Sequence, residues 1–162
     1  MDIWTERLQR RHLPLVERWV GRTAGAVTPN DLPTAPEQVR AWFDRCAAEP
    51  GRLDCLVTVY ETPVGLAGLR RGGAPEDEAE LSLLLCEVNY NALRTATYVA
   101  QRMLDRAFLE LGLARVTARV GVSHGRLLEA LERMGFVRTA EQPDAVCLRV
   151  EKAAFLSRKN LF

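Results

Sequence analysis

The stretch from Glu80 to Val120 constrains the fold of this chain more than any other. It opens with Glu80–Leu85 (ELSLLL), a short β-type run with an apolar end. Ala96, Val99, Ala100, Met103, Leu104, Ala107, Phe108 and Leu111 then recur at i, i+3, i+4 spacing, which is one buried face of a long helix. Gly112 stands where a left-handed residue closes such a helix, with Leu113 beyond it for the hydrophobic contact. Arg115 to Val120 follows as a strand.

The flanking segments extend the same pattern. Ile3–Leu8 reads as a strand, and Leu13, Leu15, Val16, Trp19 and Val20 as a helix with Pro14 in its first turn. Residues 22–33 read as loop. Thr34-Ala35-Pro36-Glu37 predicts a capping box ahead of a helix carrying Val39, Trp42, Phe43 and Cys46, which stops before Pro50-Gly51. Asp54–Glu61 and Val64–Leu69 are strands, with a tight turn expected at Thr62-Pro63. Gly72–Asp77 reads as a loop. Ser123 is placed to cap a helix with Leu127, Leu128, Leu131 and Met134, stopped by Gly135. Phe136-Val137 and Ala145–Val150 close the chain as strands. The order βααβββαβαββ predicts a mixed α/β sheet with helices on both faces.

Composition narrows the function classes. With 162 residues, 48% of them hydrophobic, one domain spanning 1–162 can bury a core without metal or disulfide staples. No apolar run approaches a membrane span, and the charged start MDIWTERLQRRHL lacks an apolar leader, so a cytoplasmic location without membrane contact is expected. The net charge of +1 argues against a large nucleic-acid footprint. Nearly all the basic residues are arginine; only Lys152 and Lys159 are lysine. Cys46, Cys55, Cys86 and Cys147 form no CxxC pair, and with only His12 and His124 beside them no metal site is expected.

Two segments carry a family likeness. One is Asp105-Arg106-Ala107-Phe108-Leu109-Glu110-Leu111-Gly112-Leu113 before a strand. The other is Leu128-Glu129-Ala130-Leu131-Glu132-Arg133-Met134-Gly135-Phe136-Val137. With the element order, they resemble the GNAT N-acetyltransferase superfamily. The opening LQRRHLPLVERWV is similar to the branch that includes ribosomal-protein N-terminal acetyltransferases. The resemblance implies a mostly antiparallel sheet splayed between its central strands. It implies acyl transfer from acetyl-CoA or another acyl-CoA to a small-molecule or peptide amine in a ternary complex.

The same likeness assigns roles. The strand end, Leu84, Leu85 and Cys86, would hold the pantetheine arm. The next loop would cradle pyrophosphate on backbone N–H groups at a helix start. Aligned back from Phe108, that loop is Asn91-Ala92-Leu93-Arg94-Thr95-Ala96. Ala96 fits the pattern, Asn91 replaces a basic residue or glutamine, and Arg94 replaces the central glycine. Either Arg94 supplies charge in place of close backbone approach, or Asn91 is a plain N-cap and the segment one extra helical turn. Leu131 stands where many members carry a tyrosine acid, and His124 where asparagine is common. Glu80 is the candidate base, with Ser82 and Leu84 on its face of the strand and Leu81, Leu83 and Leu85 on the other. Tyr90 is the candidate replacement acid, and His124 a candidate CoA contact. Trp19, Trp42 and Phe43 either border an acceptor pocket or belong to the core.

Two further readings stay open. A carrier protein or aminoacyl-tRNA would be the donor, met by Arg70, Arg71, Arg94, Arg115, Arg119 and Arg126; or the domain is a non-catalytic binding module. The C-terminal Leu156–Phe162 is either a homodimer contact or a frayed end.

Overall fold

The computed structural model describes residues 2–20, 31–71, 75–86 and 92–159. Its strands are β1 (Ile3–Arg7), β2 (Leu53–Val59), β3 (Thr62–Arg70), β4 (Glu78–Leu85), β5 (Arg115–Gly121), β6 (Val137–Glu141) and β7 (Ala145–Glu151). The helices are α1 (Leu13–Trp19), α2 (Val39–Ala48), α3 (Ala92–Asp105), α4 (Gly125–Arg133) and α5 (Lys152–Lys159). The strands form one sheet in the order β1-β2-β3-β4-β5-β7-β6. All neighbours are antiparallel except β4 and β5. That parallel pair is the one joined through α3, as a crossover connection requires.

Alternation along the strands builds two separate cores. On one face Leu81, Leu83 and Leu85 pack with Val99, Ala100, Met103 and Leu104 of α3 and Leu127, Leu128 and Leu131 of α4. On the other face Leu56, Leu66 and Leu84 pack with Leu13, Val16 and Trp19 of α1 and Val39, Trp42 and Cys46 of α2. The second core lies over β2–β4. On that same face β5 and β7 present the exposed Arg119 and Arg149.

The long helix departs from regular geometry at its end. Arg106–Glu110 forms a π-helical turn, with Leu111 N–H donating to Arg106 O at 2.9 Å. Gly112 (φ +67°) then closes it, and Leu113 N–H returns to Ala107 O at 2.9 Å.

Three local expectations are corrected. The β2–β3 turn lies at Tyr60-Glu61 (φ +46° and +68°), because two consecutive left-handed residues match the strand twist, and Thr62 and Pro63 already pair with Val59 and Thr58. The Thr34–Glu37 box does not form: Ala35 takes the extended cap conformation before a tight 3-10 turn at Pro36–Gln38, with no side-chain cap. Ser123 does not cap α4. His124 N–H folds back to Gly121 O at 3.0 Å, so the turn absorbs Ser123 and His124 takes the cap position. The C-terminal segment from Lys152 to Lys159 is a helix, with Phe155 buried against Phe108 at a ring separation of 5.5 Å.

Candidate active site

β4 parts from β5 halfway along its length. The two pair from Glu78↔Arg115 to Leu81↔Ala118 and no further. β4 meanwhile stays on β3 to its end, through Gly65↔Leu85 and a hydrogen bond from Cys86 N–H to Val64 O at 2.6 Å. Gly65 permits this approach: a Cβ there would lie 1.9 Å from Leu84 O. The result is a wedge between the central strands. Because backbone groups alternate sides and Cys86 N–H turns to β3, Leu83 and Leu85 turn theirs toward the wedge. Cys86, expected to hold the donor, thus directs its own N–H away from it.

The start of α3 opens toward the same end of the sheet. The first turn of a helix this long offers backbone N–H donors without intrahelical partners and the positive end of its dipole. Leu93 is half-buried, Arg94 exposed, and Thr95 and Ala96 buried at 3% exposure each. Among the described residues Thr95 Oγ1 is buried without a hydrogen-bond partner. These groups suit a diphosphate: the amides of a helix start, the Thr95 hydroxyl and a guanidinium on the exposed side. Tyr90 and Asn91 lie outside the described residues. His124 sits at the cap of α4, half-buried. Leu127 and Leu131 are buried at 4% and 1%, so no hydroxyl acid stands on that helix face.

On the opposite face the wedge is bordered by a polar cluster that sequence reading missed. Arg52 is nearly enclosed, its side chain 5% exposed, and serves three carboxylates. It holds Asp31 through two bonds of 2.7 and 2.9 Å, Glu49 at 3.2 Å, and Asp54 at 2.9 and 3.3 Å. Trp42 Nε1 donates to Asp31 at 3.1 Å. Burial favours protonation of Asp31, yet the hydrogen bonds from Arg52 and Trp42 outweigh it and hold that carboxyl down at about 2. At Asp54, more deeply buried, desolvation wins over the Arg52 bonds and pushes the carboxyl up. One signal was available in sequence: Asp54 opens a strand of otherwise apolar inward positions.

Glu80, the expected base, lies in the section of β4 still paired to β5, opposite Thr117. Its Oε1 accepts from Arg70 Nη2 at 2.5 Å. Trp19 and Trp42 belong to the core, at 2% and 3% exposure, although Trp42 also borders the polar cluster. Cys46 and Cys55 are buried thiols, pushed up to about 12 and about 11 by desolvation. No group of three metal-ligating side chains occurs among the described residues, and no described helix is long and apolar enough to cross a membrane.

Comparison with known proteins bears on this geometry. The family model described as "Acetyltransferase (GNAT) domain" matches residues 5–137, from β1 into β6. The chain belongs to the GNAT acetyltransferase family. No curated protein matches it. Among solved structures, spermidine N-acetyltransferase from Vibrio cholerae in complex with CoA and spermine aligns with a TM-score of 0.80 at 15% identity, covering 95% of this chain and 98% of that one. Glutamate-to-glutamine variants of the spermidine/spermine enzyme from the same organism align at 0.80, also at 15% identity, over 97% and 98%. At that identity the likeness speaks for the GNAT fold.

Proposed function

We propose that this GNAT protein is an acyl-CoA-dependent N-acyltransferase, most simply an acetyltransferase, acting on a small cationic amine. The observation that carries the reading is the wedge. β4 leaves β5 after Leu81, and the start of α3 opens beside the gap on one face while the carboxylate cluster borders it on the other. A donor and an acceptor would thus approach one strand from opposite faces.

Acetyl-CoA supplies the acyl group as a thioester. The amides of the first α3 turn, the hydroxyl of Thr95 and the guanidinium of Arg94 would hold its diphosphate. Leu85, whose backbone faces the wedge, would place an N–H against the thioester carbonyl and stabilise the oxyanion as the amine attacks. The acceptor side carries Asp31, Glu49 and Asp54 around one bonded guanidinium, Arg52, a carboxylate-rich surface that attracts an ammonium group. Spermine bound to a structural neighbour supports an acceptor of that class. Glu80, at the rim of this face, remains a second carboxylate that can take the proton released by the amine.

The test is acetylation of a panel of amines from acetyl-CoA: polyamines, aromatic amines, amino acids and N-terminal peptides. Product mass and released thiol are followed together. A cationic small amine turned over well ahead of the peptides supports the reading; no thiol release with any amine overturns it.

A further inference from the structure

Asp54, Gly68 and Ser82 form one row across three strands. Asp54 pairs with Gly68 and Gly68 with Ser82, so all three positions share the face of α2. Gly68 has no side chain to fill the space between its neighbours. A Cβ at that position would lie 2.8 Å from Ser82 Oγ and 3.0 Å from Asp54 Oδ1. The hydroxyl and the carboxylate therefore both lean over Gly68, into space that a side chain there would take. Asp54 and Ser82 also line one notch of about 20 Å³, together with Asp31, Trp42, Arg52 and Leu84. That is room for one water with several polar partners. Ser82 is also the first β4 residue past the last pair with β5, so it borders the wedge itself.

We infer that Asp54 is the proton acceptor for the attacking amine, reached through the Ser82 hydroxyl and one water held in this notch. This rests on the acyltransferase reading above. The acceptor ammonium gives one proton to the Ser82–water chain and so to Asp54. The freed lone pair attacks the thioester carbonyl carbon, the C–N bond forms and the C–S bond breaks. The second nitrogen proton goes to the departing thiolate, and Asp54 later returns its proton to solvent. Ser82 is the group that touches the amine.

The charges facing Asp54 suit the role. Arg52 binds it, Asp31 and Glu49 share that guanidinium, and the flank toward β1 and α2 carries Arg7 and Cys46. Arg70 on β3 lies near enough to act on Asp31. One cation in contact with three carboxylates leaves the cluster net negative, so it accepts a proton without creating a buried positive charge.

The experiment is the pH profile of kcat/KM for Asp54→Asn, Ser82→Ala and Gly68→Ala, using whichever panel amine the wild type acetylates fastest. Melting curves and calorimetry with acetyl-CoA are run alongside. Asp54→Asn is expected to lower kcat/KM by about a hundredfold and remove the acid limb, leaving only the ionisation of the amine, while acetyl-CoA still binds. Ser82→Ala and Gly68→Ala, which keep the carboxylate but break its path, are expected to fall by at least about tenfold. They decide the matter if Asp54→Asn fails to fold. A wild-type acid limb and rate in folded Asp54→Asn, or in both other variants, overturns the relay and leaves the acyltransferase reading standing. A wild type that acetylates no amine overturns that reading, and the relay with it.

Discussion

Arg70 on β3 donates to Glu80 on β4 at 2.5 Å, across a directly opposed pair inside the last stretch that β4 shares with β5. The pair is half-exposed, at 18% and 39% of the side chains, so its net contribution to stability is small. It also occupies the carboxylate that sequence reading put first as the base. Glu80→Gln is therefore expected to lower kcat/KM by less than about tenfold and to keep the acid limb. If Glu80→Gln removes that limb and Asp54→Asn does not, Glu80 takes the proton.

Gly65 sets the wedge. A Cβ there would meet Leu84 O at 1.9 Å and Leu85 Cα at 2.9 Å, both backbone, so no rotamer change relieves the clash. Gly65→Ala is expected to destabilise the fold by about 1–3 kcal/mol or more and to weaken acetyl-CoA binding, because the end of β4 must shift. Chemical denaturation and calorimetry on one sample read both effects.

Arg94 tests how the altered phosphate loop works. It lies exposed on the first turn of α3, beside the buried hydroxyl of Thr95. Loss of one charge-assisted contact to phosphate is expected to raise the Kd for acetyl-CoA by about tenfold in Arg94→Ala, with a shallower dependence on salt. An unchanged Kd would make the residue one more exposed helical arginine.

The Asp31–Arg52 contact makes stability depend on acidity. The Asp31 carboxyl ordinarily titrates at 3.8 and is held at about 2 in the fold. A depressed carboxylate contributes stability above its unfolded value and loses it as pH falls through the folded value. Urea midpoints should therefore decline between about pH 4 and pH 2, and Asp31→Asn should flatten that part of the decline while lowering stability at neutral pH. An identical acid slope in the variant would contradict the assignment.

Legibility in the sequence followed the range of the interactions involved. The face alternation of Glu80–Leu85 and the buried face of α3 were readable because period and apolar content are local, and both cores follow them. The π-helical turn at Arg106–Glu110 was hidden within an otherwise regular apolar period. The turn at Tyr60-Glu61 was not readable, since neither residue type favours the left-handed backbone it adopts. α5 was missed because the segment has no strong apolar face beyond Phe155. The proposed donor side rests on one contiguous segment, residues 91–96, which a sequence displays directly. The polar cluster was not legible: Asp31 and Arg52 come from two loops and Asp54, Gly68 and Ser82 from three strands, and only the tertiary fold brings them together.

The central claim is that the wedge and the start of α3 receive an acyl-CoA despite the missing loop glycine. Calorimetric titration of the full chain with acetyl-CoA tests it most directly. The account predicts saturable one-to-one binding with a Kd in the micromolar range, about −7 to −8 kcal/mol. No heat of binding at high micromolar acetyl-CoA would contradict it.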